Sequence, residues 1–248
     1  MSAPPGRTWR LTDLEFVVGW EAMGDCMLPE PFYWLARATD YYEFEREKRE
    51  TLRGLRNRFG QTFDTVLAAV ARPDIRVVVS AENPQAMTEP ESPIRLLGAR
   101  RHDNGYLVTQ LPGETVQHSG GYTVTEFSAL DLAKVVVNAL PTAPAGQRTE
   151  IQLVTGTGRY GVTTARGQHF LQLPATAAGV IEVVQGVSIF GPRGITRRTL
   201  YWRDVLDDGR YLITDNHATV VPADPRRLTA AINNAIAEVV QAIREERS

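Results

Sequence analysis

The sequence predicts an α+β fold in which a central, mostly antiparallel β-sheet is flanked by helices. Two hairpins predict the antiparallel pairing, because strand-like runs flank the turn sequences Asp103-Asn104-Gly105 and Asp207-Asp208-Gly209. Apolar residues that recur every three or four positions predict helices between these runs. Short turns join most of the strands, whereas a parallel, doubly wound sheet would need long crossovers.

The first half of the chain is predicted to begin with a loose tail over residues 1–8 and then a helix. Thr12 and Glu15 have the spacing of a capping box, which marks the start of that helix. Between Glu43 and Val70 the pattern is again helical, and glycines within it leave one helix or two equally open. The other elements expected are extended runs at Phe32–Leu35 and Ile75–Val79, a polar loop over Ala81–Ser92, hairpin strands at Ile94–Arg101 and Tyr106–Leu111, and a helix over Leu130–Leu140.

A linker is predicted at Pro141–Arg148, and the second half follows it. Asp224 and Pro225 predict the start of the last helix, since a carboxylate caps the N-terminus and proline fits the first turn. Its apolar face runs from Leu228 to Ile243. The elements expected before it are an extended run at Ile151–Val154, a helix over Ala175–Val184, and strands at Val187–Phe190, Thr196–Val205, Tyr211–Thr214 and His217–Val221.

The two halves resemble each other. Asp103, followed by Tyr106-Leu107-Val108-Thr109, aligns with Asp208, followed by Tyr211-Leu212-Ile213-Thr214, and similar elements surround both copies in similar order. We therefore expect a single domain over 1–248 that contains two pseudo-repeat halves, about 12–140 and 149–244. Two such halves would most simply share one sheet, with helices at its ends or on its faces.

Composition excludes several classes of protein. With 27 basic and 29 acidic residues in 248, the net charge is −2, which disfavours a protein that coats nucleic acid or an anionic membrane. The single cysteine, Cys26, excludes an intramolecular disulfide and a cysteine-cluster zinc site, and the four histidines are widely spaced. We find neither a membrane-spanning apolar run nor a secretory signal, and expect a cytoplasmic protein.

One glycine-rich segment has the pattern of a dinucleotide site. Residues 156–161 read Gly-Thr-Gly-Arg-Tyr-Gly after the strand-like Ile151–Val154. Such a site needs these glycines at a strand-to-helix turn, but the segment that follows, Val162–Gly167, is β-branched and lacks an apolar helical face. A flexible loop is the favoured interpretation, and a protein that binds a nucleotide or small molecule stays open as an alternative.

Other candidate groups have simpler structural explanations. Asp207 and Asp208, and the run Asp215-Asn216-His217, fall where turns are predicted, and Cys26 fits a small buried residue. The mixed charges of Glu43–Arg58 fit a solvated helix face. An aromatic cluster fits either a core edge or a partner surface: Phe32, Tyr33, Trp34, Tyr41 and Tyr42. Without a visible active site, the residues favour a binding protein.

Several short segments occur in an informative order and spacing: Leu11–Trp20, Leu28–Phe32, Ala71–Val79, Pro141–Pro144, Ile189–Gly191, Arg197–Arg198, Asp208–Leu212 and Val220–Leu228. Through these segments the chain resembles the EspG family, cytosolic chaperones of the mycobacterial type VII (ESX) secretion systems. The resemblance implies a central sheet flanked by helices in a pseudo-twofold design. It also implies a protein without catalysis or cofactor.

The resemblance further implies a partner and a site. Family members bind the exposed apolar tip of a PPE protein in its PE–PPE heterodimer, keep it soluble and direct it to a particular secretion system. A PE–PPE heterodimer or a related type VII substrate is therefore the expected partner here, and a homodimer is possible. In the family, the loop between the second and third strands, the sheet face and the C-terminal helical region contact the partner. With Phe32–Leu35 as the first strand, that loop gives these candidate residues: Asn83, Pro84, Gln85, Ala86, Met87, Thr88 and Glu89.

Overall fold

The computed structural model describes residues 6–24, 27–37, 40–155, 162–214 and 219–247. Within these ranges the chain forms twelve strands and six α-helices. The strands are β1 (Thr8–Leu11), β2 (Ile75–Glu82), β3 (Ile94–Arg101), β4 (Asn104–Pro112), β5 (Ser119–Ser128), β6 (Ile151–Gln152), β7 (Val154–Thr155), β8 (Val162–Thr163), β9 (Ala175–Gln185), β10 (Arg197–Val205), β11 (Gly209–Thr214) and β12 (Thr219–Pro222). The helices are α1 (Asp13–Glu21), α2 (Tyr41–Phe59), α3 (Gln61–Ala71), α4 (Leu132–Asn138), α5 (Ala165–Gln172) and α6 (Pro225–Glu246).

Ten strands form one antiparallel sheet, which confirms the predicted fold class. Their order is β1-β5-β4-β3-β2-β9-β10-β11-β12-β6, while β7 and β8 pair separately. The order is symmetric about the central β2–β9 pair. On one side β2 to β5 form a meander with β1 at its outer edge, and on the other side β9 to β12 form a meander with β6 at its outer edge. This symmetry agrees with the pseudo-twofold design. The residue limits of the two repeats, 12–140 and 149–244, remain a prediction.

Helices cover the two faces of the sheet unequally. Alternate residues of β2 point to opposite faces, so Val77 and Val79 belong to one buried cluster with α4 and α6, and Val78 belongs to another with α1 to α3. A third, smaller cluster joins α5 to β11 and β12 through Phe170, Tyr211 and Val220. Between the second and third clusters, the side chains of β2, β9 and β10 are exposed or half-buried. We call this surface the open face: Ser80, Glu82, Ala178, Val180 and Thr199.

Several local predictions are confirmed. The Thr12 hydroxyl accepts from the Glu15 amide at 3.1 Å, and the Glu15 carboxylate accepts from the Thr12 amide at 2.8 Å, which completes the capping box of α1. Gly60, at φ 67°, separates α2 from α3, so two helices replace the single long alternative. Asp224 caps α6 by accepting from the Arg227 amide at 2.7 Å. Both predicted hairpins form, as β3–β4 and β10–β11.

The prediction of a helix at Ala175–Val184 was wrong, because this segment is β9, a central strand. Its alanines favour a helix locally, but β9 pairs with β2 on one side and with β10 on the other. The small residues serve close packing instead: Gly179 pairs with Ala81, and a Cβ on Gly179 would lie 2.3 Å from the Ala81 Cβ. Tertiary pairing therefore overrides the local preference.

Three further predictions differ from the structure. Phe32–Leu35 is not a strand, and the first strand is Thr8–Leu11, within and just after the predicted tail. Val187–Phe190 is a loop between β9 and β10, because the ladder of β9 ends at Gln185; Ser188 is buried there, and the other three side chains are exposed. The predicted helix over Leu130–Leu140 begins as a 3-10 turn and is α-helical only over Leu132–Asn138.

The linker between the halves is bonded tightly to the second half. Arg210 is 2% exposed, forms a two-pronged ion pair with Asp204 at 2.7 Å for both contacts, and donates to the Pro141 carbonyl at 2.7 Å. Asp208 accepts from the Gln147 amide, from Nε of Arg148 and from the Tyr211 hydroxyl, at 2.7, 2.7 and 2.9 Å. Since buried charges need partners, this network fixes both the linker and the β10–β11 hairpin.

Removing Arg210 should strongly destabilise the fold. Arg210→Ala leaves the buried Asp204 carboxylate without its partner, which costs about 3–5 kcal/mol of unfolding free energy, measured by urea denaturation. Arg197→Ala breaks a largely exposed ion pair with Glu182 (2.8 Å) and should cost about 1 kcal/mol or less. Equal losses in the two variants would contradict the assigned role of Arg210.

The Asp208 network should make stability depend on pH. Burial tends to raise the pKa of Asp208, but hydrogen bonds from Gln147, Tyr211 and Arg148 outweigh it and lower the pKa below its ordinary value of 3.8. Because the folded-state pKa is depressed, this stabilisation is complete above the ordinary pKa and is lost as the pH falls through the folded-state pKa. The stability difference between the native protein and Asp208→Asn should therefore be constant at neutral pH and shrink below about pH 4. Urea denaturation across this range measures it, and a gap that widens on acidification would contradict the assignment.

Candidate functional site

The predicted partner loop is the connection between β2 and β3, residues 83–93. Because Thr8–Leu11 takes the place of the expected first strand, the loop still lies between the second and third strands. Asn83 and Ala86 are half-buried, whereas the side chains of the other candidates are exposed: Pro84, Gln85, Met87, Thr88 and Glu89. The structure therefore brings all seven candidates onto one surface loop at one end of the sheet.

Internal hydrogen bonds give this loop a fixed shape. The buried Ser92 hydroxyl accepts from the Asn83 amide at 2.9 Å, which closes the loop at its base. The Asn83 side chain accepts from the Gln85 amide at 3.0 Å, and the Asn83 carbonyl accepts from the Ala86 amide at 3.0 Å. Two further turns bond Glu89 to Ala86 and Ser92 to Glu89. Met87, 55% exposed, is thus presented from a preformed loop.

A groove of about 550 Å³ adjoins the loop and continues onto the open face. Its walls come from four separate parts of the chain, which are brought together by the sheet. The lining residues are Tyr33, Ser80, Ala81, Glu82, Met87, Pro93, Arg95, Val116, Gln117, Ala178 and Gly179. Aromatic, aliphatic and small side chains alternate there with polar groups, as in surfaces that bind other proteins.

Tyr33 is held at the edge of this groove by its backbone. Its amide donates to Oε1 of Gln110 at 3.1 Å, and its carbonyl accepts from Nε2 of Gln110 at 2.8 Å and from the Tyr122 hydroxyl at 3.3 Å. Gln110 is 7% exposed, so its end of both bonds is buried. The ring of Tyr33, by contrast, belongs to a residue that is 61% exposed, which leaves it available for contact.

Arg95 links the Tyr33 segment to the loop between β4 and β5. Its guanidinium lies 4.8 Å from the centre of the Tyr33 ring and donates to the Val116 carbonyl at 2.8 Å. Burial lowers the pKa of Arg95 below its ordinary value. The charge therefore sits in a partly desolvated place, where a cation–π contact is strengthened.

The aromatic cluster divides between core and surface. Phe32 is buried against Phe16 and Tyr122, with ring centres 5.8 and 5.3 Å away. Trp34 stacks on Phe44 at 5.9 Å. Tyr33, Tyr41 and Tyr42 are exposed. The core interpretation thus holds for Phe32, and the exposed Tyr33, Tyr41 and Tyr42 remain candidates for a partner surface.

Tyr33, Arg95 and Val116 line the groove and Gln110 holds Tyr33 at its edge, but none of the four was among the residues predicted for the partner loop. A signal for two of them was present in the sequence, because Arg95 and Gln110 interrupt the apolar pattern of the predicted β3–β4 hairpin. Polar side chains at such positions need a specific partner. Nothing in the local sequence identifies that partner as Tyr33, 77 residues away from Gln110.

The surroundings of the glycine-rich segment differ from those of a dinucleotide site. Residues 156–161 lie outside the described residues, but the strands on either side, β7 and β8, pair antiparallel with each other. The segment therefore connects two strands of a hairpin, whereas a dinucleotide fingerprint leads from a strand into a helix. The next helix, α5, is capped by its own Thr164, whose hydroxyl accepts from the Gly167 amide at 2.8 Å.

The other candidate groups are structural or lie outside the description. Asp207 adopts the left-handed conformation, with φ 57°, in the β10–β11 turn, and Asp208 is used by the linker network. Cys26 and residues 215–217 lie outside the described residues. Within the described ranges, no group of three or more His, Cys, Asp or Glu side chains is placed to hold a metal ion. In the same ranges, none of the helices combines the length and the apolar composition that crossing a membrane requires.

Replacing Gln110 should loosen the Tyr33 segment. Gln110→Leu removes both interior bonds to the Tyr33 backbone, so hydrogen exchange over residues 32–37 should accelerate at least tenfold, equivalent to about 1.4 kcal/mol. Exchange mass spectrometry measures this change. Gln241→Leu, on the surface of α6, is the matched control and should leave these amides unchanged. Unaltered exchange in Gln110→Leu would show that other contacts hold the segment.

Comparison with known proteins agrees with this architecture. The model of the EspG family matches residues 12–234. Among solved structures, the fold is similar to that of the Mycobacterium tuberculosis type VII secretion system chaperone EspG5 in complex with a PE25–PPE41 dimer, with a TM-score of 0.59 and 12% identity, covering 93% of this chain and 96% of that one. A search of curated proteins gave no match. Since the family match spans most of the chain, the protein belongs to the EspG family.

Proposed function

We propose that this protein is a cytoplasmic chaperone that binds the apolar tip of a PPE-like client, keeps it soluble and directs it to a type VII secretion system. The observation that carries the proposal is membership of the EspG family over residues 12–234, together with the shared fold of EspG5, which was solved in complex with a PE25–PPE41 dimer. In this function the protein recognises the apolar tip of its client and shields it from water. Both tasks require a binding surface and no catalysed reaction.

The client site proposed here consists of the loop 83–89, the adjoining groove and the open face. Met87 and Tyr33, which both line the groove, supply exposed apolar area. Both are fixed before the client arrives, Met87 by the turns of its loop and Tyr33 by Gln110. Preformed surfaces lose little conformational entropy on binding, so a modest area can hold a client firmly.

The composition of the open face also suits a chaperone that must stay soluble when no client is bound. Small and polar side chains, such as Ser80, Glu82, Ala178 and Thr199, make up much of the open face. They interrupt the apolar area, and large continuous apolar patches promote aggregation. Affinity then depends on a few exposed apolar side chains, as is usual for protein interfaces.

Co-expression is the direct test of this function. The protein would be produced with the PPE-like or small helical-hairpin proteins encoded beside its gene, followed by affinity pull-down and size-exclusion chromatography. We expect a stoichiometric complex with a client that is insoluble when it is produced alone. The absence of a complex with every such neighbour, together with thermal stabilisation by a nucleotide, would instead support the small-molecule alternative.

Charged substitutions should locate the client site. In Met87→Asp and in Tyr33→Asp, a carboxylate would be buried against the apolar tip, so the client should bind at least tenfold more weakly, a loss of about 1.4 kcal/mol or more. Leu130→Asp is the control, because Leu130 is 85% exposed and lies near the opposite end of the sheet, where Ala129 bonds to Asp103. Competition for the co-expressed client between each variant and the tagged native protein, followed by pull-down, measures the relative affinities, and melting temperatures verify folding. Equal affinity in all three variants would remove the loop and groove from the client site.

A further inference from the structure

A second groove, of about 420 Å³, lies at the other end of β2. Ile75, Val187, Val240 and Ile243 give it an apolar lining, and five arginines surround this lining: Arg72, Arg100, Arg101, Arg244 and Arg247. We call it the arginine groove. Its only lining carboxylate among the described residues is Asp74, which accepts from the His102 amide at 2.8 Å.

The preference of cationic side chains for the C-terminal ends of helices explains only some of these five arginines. Arg72 follows α3, and Arg244 and Arg247 lie at the end of α6, where the helix dipole favours cations. Arg101 donates to the Ala68 carbonyl of α3 at 3.1 Å. Arg100, however, is part of β3, and the fold brings the ends of two helices and a hairpin around one depression. Within the described residues, the ion pairs shorter than 4 Å include none from Arg72, Arg100, Arg101 or Arg247.

The last helix holds the loop that contributes Val187 to this groove. Glu246 of α6 accepts from Nε2 of Gln185, from the Ser188 hydroxyl and from the Ile189 amide, at 3.0, 2.9 and 3.3 Å. These bonds fix the loop that carries Val187, Ile189 and Phe190, which are 74, 68 and 70% exposed. A surface with three exposed apolar side chains on a fixed loop has the features of a binding surface.

The two grooves lie at opposite ends of the central strand. Ile75, the first residue of β2, lines the arginine groove, and Glu82, the last residue, lines the groove beside Met87. Eight residues of extended chain separate the ends by roughly 25 Å. A client seated at the loop 83–89 therefore leaves the arginine groove open to another molecule.

We propose that the arginine groove binds an acidic, amphipathic segment of a second protein while the client occupies the loop at the other end. Guanidinium groups form two-pronged bonds to carboxylates, and the apolar lining accepts the apolar side chains of the same segment. This inference rests on the proposed chaperone function, since an adaptor that delivers a client needs one surface for the client and one for the receiving partner. The free chain binds such a segment as well, so the groove can be tested separately from the client.

The test uses a fluorescein-labelled 14-residue peptide designed as an amphipathic helix. Glu and Asp form one face of this helix, and Leu and Phe form the other. Fluorescence anisotropy with the full chain should give a Kd in the micromolar range that weakens as salt is raised. The double variant Arg100→Glu/Arg247→Glu should weaken binding at least tenfold. Arg49→Glu/Arg53→Glu, on the exposed face of α2, changes the net charge equally and should alter the Kd less than twofold.

Several outcomes would overturn the proposal. The first is a peptide Kd weaker than 1 mM for the native protein. The second is a groove variant that binds the peptide as tightly as the native protein does, or an α2 control that loses as much affinity as the groove variant. The third is equally tight binding of a matched peptide in which Gln and Asn replace Glu and Asp. Tighter binding of a uridine oligonucleotide or of phosphatidylserine vesicles would assign the groove to another class of partner and would also overturn it.

Client binding separates this proposal from the chaperone function. The groove variant should still form the client complex after co-expression, because its substitutions lie at the opposite end of β2. Loss of that complex in the groove variant alone would contradict a separate second site. Peptide binding without any client complex in the native protein would refute the chaperone function and leave the acidic-segment site standing.

Discussion

The antiparallel pairing of β2 with β9 is the contact on which the rest of the structure depends. Eight residues of β2, Ile75 to Glu82, pair in unbroken register with Gln185 to Ala178 of β9. This ladder joins two meanders into one ten-stranded sheet and allows α4 and α6 to share one buried cluster. A one-residue slip would move the buried Val77 and Val79 to the face that carries the exposed Ser80 and Glu82, so burial fixes the register. The short Ala81–Gly179 contact leaves no room for larger side chains at this position.

The same pairing determines where binding surfaces can form. Because β2 and β9 are antiparallel, the loops that follow them, 83–93 and 186–196, leave the sheet at opposite ends. The first loop is closed by Ser92 and Asn83 and presents Met87. The second is held by Glu246 and presents Val187, Ile189 and Phe190. Two loops with equivalent positions in the fold thus carry different chemistry, and the proposed functions follow that difference.

Much of the fold could be predicted because local chemistry and tertiary structure agree there. The capping box at Thr12, the cap at Asp224 and the turn at Asp207 require only neighbours within a few residues, and each forms as predicted. The strand β9 could not be predicted from its alanines, since its conformation is decided by β2, about a hundred residues earlier. Placement of the loop 83–89 between the second and third strands survived an error, because Thr8–Leu11 replaced Phe32–Leu35 as the first strand without changing the count.

The candidate site shows why the sequence could supply the loop but not the surface around it. A polar, proline-containing run between two strands is visible locally, whereas the groove exists only because Gln110 bonds to Tyr33 and Arg95 reaches Val116 across strands. The hydrogen bonds of Ser92 and Glu246 likewise give a reason why exposed apolar groups persist on the loops 83–93 and 186–196. Each exposed side chain is attached to backbone that buried or half-buried hydrogen bonds hold in place, so it cannot collapse onto the core. The free-energy cost of ordering these loops is met during folding, and a partner then binds a surface that is already formed.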